Sequence, residues 1–271
     1  MTDRREADEE LLAMGAAPGL ACDRFANGAW SKTTVCAPRE LALTIYVNTQ
    51  ELVTVLCTPS KLTPLVVGFL YSEGIIKSMR DVAAMRVCED DAVADVKLVS
   101  NDFKPPTRRM LTSGCGGGVV FAPKVQKVES SLRVTPEELL ALMKSLNETA
   151  RLYRVCGGVH TSVLADNAHS LVLAEDIGRH NTLDRIQGEC LLRGLSTRDK
   201  VLLSTGRISS EMLLKAASMG IPVVVSRSAP TDRAVELAKE AGITVVGYAR
   251  GERLSVYSHT ERVTASRAEN K

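Results

Sequence analysis

At 271 residues, with 45% hydrophobic and 24% charged side chains, the chain has the make-up of an ordinary soluble protein of one large or two modest domains. A formal net charge of +2 gives no global attraction for nucleic acid, so any anion site must be built locally. The polar opening and the short apolar runs predict neither a signal peptide nor a bilayer span, so the expected setting is cytoplasmic, away from membranes.

Residues 1–30 show weak periodicity and read as a flexible N-terminal arm, able to reach across a partner subunit. Residues 41–47 and 52–57 read as strands of an antiparallel hairpin turning at Asn48-Thr49-Gln50. Residues 62–76 read as a helix with Pro64 in its first turn, and 92–99 as a strand. Between 101 and 118 the pattern stops at Pro105-Pro106, Arg108-Arg109 and a glycine cluster, the composition of a mobile loop. A linker is expected near 122–134. Thr135, Pro136 and Glu138 then announce a helix through a capping box, running to about residue 154. Beyond it strands (161–165, 170–174, 201–204, 222–226, 244–248, 253–257) are interspersed with helices (181–193, 209–218, 231–241). Such alternation predicts a parallel sheet covered on both faces. The fold class is therefore α/β: an α+β domain over 31–130 and an α/β domain over 131–271.

The seven cysteines are odd in number and form no CxxC pair, which argues against a disulfide framework and a structural zinc site. Most read as small buried hydrophobes, Cys57 and Cys190 among them. Cys115 differs. It sits in Ser113-Gly114-Cys115-Gly116-Gly117-Gly118, where glycines clear the approach and Lys104, Arg108 and Arg109 stand near in sequence to favour thiolate. On these residues a reactive thiol and an incidental one in a glycine turn are both open.

Two βα junctions look like anion sites: Ser204 to Ser210 with Arg207 and Ser209, and Ser226 to Thr231 with Arg227 and Ser228. Ser and Thr capping of the helices is the plainer reading of either turn alone. The cluster Ala174-Glu175-Asp176-Ile177-Gly178-Arg179-His180-Asn181 suits acid–base work or a loop entering a helix, and the sequence does not choose. Cys156-Gly157-Gly158-Val159-His160 offers a second thiol, read as packing, and a histidine placed to line a pocket.

Together Gly157 to His160, Ala174 to Asn181, Ser204 to Ser209, Gly220-Ile221-Pro222, Ser228 to Thr231 and Gly251-Glu252-Arg253 resemble the FdhD family, sulfur-carrier accessory proteins of formate dehydrogenase. The resemblance spans about residues 37–260. It implies a sulfurtransferase-type carrier: sulfur arrives from a cysteine desulfurase as a persulfide on Cys115. It then passes to the bis(molybdopterin guanine dinucleotide) cofactor of molybdenum or tungsten before insertion into formate dehydrogenase. It also implies a homodimer, and a C-terminal cytidine-deaminase-like α/β sandwich that binds the cofactor. The deaminase zinc signature is missing, so no zinc is expected. The family's loop, C-G-x-C-G, matches at Cys115, but Gly118 stands where its second cysteine would be. A local disulfide therefore cannot discharge the persulfide. The cofactor-binding stretch corresponds to Tyr248, Ala249, Arg250, Gly251, Glu252 and Arg253, a strand end with a glycine and two arginines suited to phosphates. Arg207, Ser209, Arg227, Ser228, His160 and His180 are further candidates. Two rival readings remain: a delivery chaperone for the cofactor in which the thiol is secondary, and a nucleotide-modifying enzyme on a deaminase-like scaffold.

Overall fold

The computed structural model describes residues 2–104, 110–111, 119–120, 126–166 and 168–264. The segment expected as a loose arm is a helix, α1 (Thr2–Ala13), and a ribbon of two long strands, β1 (Ala16–Ala26) and β2 (Ala29–Pro38). The ribbon turns at Asn27-Gly28, both at positive φ, the conformation that two-residue hairpin turns require. It is solvent-exposed over most of its length, and Phe25 and Trp30 meet at its tip with ring centroids 5.3 Å apart.

The expected hairpin forms β3 (Leu41–Val47) and β4 (Gln50–Cys57), with Asn48 and Thr49 at positive φ closing a two-residue turn. After α2 (Leu62–Ser72), β5 (Val82–Cys88) and β6 (Val93–Leu98) complete a sheet ordered β4-β3-β6-β5, with β6 parallel to β3. Burial alternates along β6, so one sheet face packs on α2 and the other meets water. Two short strands, β7 (Met110–Leu111) and β8 (Val119–Val120), pair antiparallel; the stretch between them, with Cys115, lies outside the described residues.

Residues 126–134, expected as a linker, are docked: Val128 is buried and its N–H donates to Ala241 O, and Val134 bridges to Val263. The capping box of α3 (Pro136–Thr149) forms as read, Thr135 and Glu138 each accepting the other's backbone N–H. The helix does not run to 154. It breaks at Ala150 (ψ 80°) and restarts as α4 (Arg151–Cys156).

The second sheet is built from β9 (His160–Ala165), β10 (Ser170–Asp176), β11 (Val201–Ser204), β12 (Val223–Ser226), β13 (Thr244–Arg250) and β14 (Arg253–Val256). Its order is β10-β9-β11-β12-β13-β14. β11, β12 and β13 pair in parallel, and the other neighbouring strands of this sheet pair antiparallel. The sheet is mixed rather than parallel because β9–β10 and β13–β14 are joined by short turns, which only antiparallel pairs permit. Successive residues face opposite ways into two cores. Leu164, Leu202, Val224 and Val245 meet α5 (Arg179–Arg193), α6 (Ser210–Ser218) and α7 (Asp232–Ala241), while Val163, Leu203, Val225 and Val246 meet α3. The fold is α/β. No helix among the described residues is long and apolar enough to cross a membrane.

The two sheets are joined through α2 and α5. A Cβ on Gly68 would lie 1.7 Å from Asp184 O, and one on Gly188 would lie 1.9 Å from Pro64 O, so these helices touch backbone to backbone. Gly188→Ala must push them apart. The expected loss is about 1–3 kcal/mol, read as a lower denaturant midpoint; an unchanged midpoint would show that the joint gives freely.

Candidate functional site

The carboxyl ends of β11, β12 and β13 gather the predicted loops. The turns after β11 and β12 are laced together: Ile208 N–H donates to Ala229 O, Thr231 N–H to Ile208 O, and Ser226 Oγ to Gly206 O. Ser204 and Ser226 are fully buried and their hydroxyls are committed to these loops, so they hold the turns. Ser209 caps α6 through Met212 N–H. Ser228 likewise spends its backbone, with its N–H on Ser226 Oγ and its carbonyl accepting Tyr248 N–H. What the two turns project outward is Arg207 and Arg227, both exposed.

At the end of β13 the register slips between Gly247 and Arg250, and Tyr248 takes a positive φ of 54°. Such a bulge re-aims the residues after it. Ala249 stays buried, the Arg250 guanidinium lies 5.9 Å from the Tyr248 ring centre, and Glu252 and Arg253 sit exposed at the turn into β14.

A cleft of about 420 Å³ opens beside this bulge, lined by Lys144, Asn147, Tyr153, Arg154, Arg227 and Arg250, with Leu140, Met143 and Gly251. Four cations line it and no carboxylate does. Arg227 is tethered by Nη1 to Asn147 Oδ1 (3.5 Å), and Asn147 Nδ2 in turn donates to Met143 O (2.8 Å). Charge of one sign in a concave wall selects phosphate or carboxylate ligands. Of the predicted residues, Arg227, Arg250 and Gly251 come together here. His160, His180, Arg207 and Ser209 do not line this cleft. Lys144, Asn147, Tyr153 and Arg154, on α3 and α4, had not been singled out. Nothing local marks them, since only the fold brings α3 and α4 against the strand ends.

The polar cluster at 174–181 resolves in favour of structure. Glu175 accepts the N–H groups of Leu152 (2.9 Å) and Tyr153 (3.0 Å) and the Thr161 hydroxyl (3.2 Å). Asp176 accepts from Thr58 N, Gly178 N, Asn181 Nδ2 and the Arg185 guanidinium. Both carboxylates are spent on holding neighbours, which leaves little for proton transfer.

His180 is buried with Nε2 3.2 Å from Ser209 Oγ and Nδ1 3.3 Å from Glu211 Oε2. Burial, followed by the charges of Arg179 and Lys215, pushes its pKa down to about 2. His160, packed beside Gly206 and Arg179, is lowered too, by burial and then by Arg179. Both imidazoles are thus neutral when folded and take up protons on unfolding below their ordinary value of 6.5. The unfolded chain then binds more protons, so stability is lost as pH falls below about 6.5. Urea midpoints should drop between pH 7.5 and 5.5, and less steeply in His180→Asn; identical slopes would remove His180 from the cause.

Burial raises the thiols of Cys57 to about 12 and of Cys156 and Cys190 to about 11, and Cys156 Sγ donates to Leu152 O. These are packing thiols. Among the described residues no three His, Cys, Asp or Glu side chains are grouped to hold a metal ion.

Residues 38–264 match the FdhD/NarQ family along nearly the whole chain. The chain belongs to that family. The sulfur carrier protein FdhD of Bacillus subtilis (strain 168) is 40% identical over 248 residues, covering 89% of this chain and 95% of the relative. That of Listeria monocytogenes serotype 4b is 41% identical over 251 residues, with 89% and 96% covered. A crystal structure from Desulfotalea psychrophila, assigned there as a candidate formate dehydrogenase accessory protein, superposes with TM-score 0.79. It is 24% identical to this chain, covering 92% of it and all of the other, and supports the fold. The motif segments at 174–181, 204–209 and 248–253 all fall inside the family match.

Proposed function

We propose that this FdhD-family chain is a cytoplasmic sulfur carrier serving formate dehydrogenase, working as a homodimer. The Cys115 thiolate attacks the sulfane sulfur of a cysteine desulfurase persulfide; the desulfurase thiolate leaves and Cys115 carries the persulfide. The substrate is the bis(molybdopterin guanine dinucleotide) molybdenum or tungsten cofactor, held by its phosphates at the end of β13 and in the basic cleft. Its metal receives the terminal sulfur as a neutral atom and supplies two electrons to make sulfide, and Cys115 leaves as thiolate. This discharge needs no second cysteine, which suits a chain with Gly118 at that place.

The observation that favours this reading is the cleft: four cations and no carboxylate, beside the bulge that aims Arg250, in a chain whose relatives are named sulfur carriers. The rival delivery chaperone would use the same cleft with a dispensable thiol. The two are separated by formate dehydrogenase activity in cells lacking the carrier. Wild type should restore it and Cys115→Ala should not; restoration by both would leave delivery alone as the function.

A further inference from the structure

α4 has six residues, too few to hold a helix by its own hydrogen bonds. Of its side chains only Leu152 is buried among the core residues, while Tyr153 and Arg154 point outward and line the basic cleft. Its first N–H groups lost their helical acceptors when the chain broke at Ala150, and no side chain of its own end caps them. They are met by a single carboxylate from another element. Glu175, on β10, takes Leu152 N–H on Oε2 and Tyr153 N–H on Oε1, one amide to each oxygen. A charged acceptor at a helix start is the favourable sense, and two ionic hydrogen bonds fix direction as well as position.

The carboxylate is itself aimed. Thr161 Oγ1 donates to Glu175 Oε1, and the Thr161 backbone is locked to Thr205 by bonds in both directions, Thr161 N–H to Thr205 Oγ1 and Thr205 N–H to Thr161 O. A continuous run of contacts therefore leads from the turn after β11, through Thr161 and Glu175, to the start of α4. Arg154 lies one turn further on.

We infer that Glu175 is a positioning residue for the anion cleft: it clamps α4 so that Arg154 and Tyr153 face the bound phosphates. This rests on the cleft being an anion site, as proposed above. It gives Glu175, one of the two acidic residues of the 174–181 motif, a binding role exerted through a helix, with no contact to substrate.

The test is a double-mutant cycle on the full-length protein, with GDP as the probe and calorimetric affinity as the readout. Arg154→Ala should weaken GDP binding roughly tenfold, the scale of one charge-assisted contact. Glu175→Ala should weaken it by a similar factor, and the double variant should bind no worse than either single one. Glu175→Gln, which keeps the shape and one acceptor oxygen, should fall between wild type and Glu175→Ala; it also serves if the alanine variant does not fold. A purely structural Glu175 would lower the melting temperature and leave GDP affinity intact, and that result would overturn the inference. So would losses that multiply in the double variant. Failure of the wild-type chain to bind GDP at all would overturn the anion cleft and, with it, this role for Glu175.

Discussion

Reversing the charge of the cleft, with Arg227→Glu and Arg250→Glu together, is expected to abolish measurable GDP binding. Both side chains are exposed, and Arg227 holds only a long bond to Asn147, so the fold should survive the change. In the proposed site each arginine would supply a hydrogen bond to a charged ligand, worth about 1.5–3 kcal/mol. The glutamates remove both and add repulsion, so the combined loss should reach roughly a thousandfold or more. Calorimetry with GDP gives the affinity, and an unchanged melting temperature gives the control. Retained affinity in a folded double variant would place the anion site elsewhere.

Arg185→Met is expected to be the most destabilising of the substitutions considered. The guanidinium is 3% exposed and makes five hydrogen bonds to four oxygens on two parts of the molecule. Nε and Nη2 lie 2.9 and 2.5 Å from Asp176 Oδ2, Nη2 also donates to Thr58 O (2.6 Å), and Nη1 donates to Ser60 O and Lys61 O. Methionine fills the space and leaves Asp176 as a buried charge with its strongest partner gone. Loss of one member of a buried pair costs about 3–5 kcal/mol. The exposed pair Arg151–Glu10 is the contrast: at 61% and 60% exposure, Arg151→Ala should be nearly silent. Denaturant midpoints of the two variants make the comparison, and equal effects would contradict a joint built on Arg185.

The same joint shows what can be read from a sequence here. Strands β12 and β13 were legible because Val223-Val224-Val225 and Thr244-Val245-Val246 are buried on both sides, and β3 of the hairpin because its burial alternates. Thr135 and Glu138 marked the start of α3 through a purely local device. Its end was not legible. The break at Ala150 is paired with a carboxylate on β10, which no local pattern contains. The β1–β2 ribbon escaped for the opposite reason: with both faces wet it has no alternation, and only Asn27-Gly28 signalled a turn. Strand β5 was passed over too, its burial following no period of two.

The 174–181 cluster was visible as a dense run of polar residues suited either to acid–base work or to a loop entering a helix. What decided between them lies far off in sequence, at Thr58, Leu152, Tyr153 and Arg185. The arginines of the cleft were legible as two turns and a strand end. The opposite wall, Lys144 to Arg154, was not, because it reaches the site only once α3 crosses the sheet. Cys115 itself was found from its glycines and its family resemblance, and it lies outside the described residues.

Sulfur loading of that thiol bears most directly on the account. After incubation of the full-length protein with a cysteine desulfurase and cysteine, intact-protein mass spectrometry should show one added sulfur atom on the wild type. Cys115→Ala should show none, while the six other cysteines remain in place. Equal loading of both proteins would contradict Cys115 as the carrier.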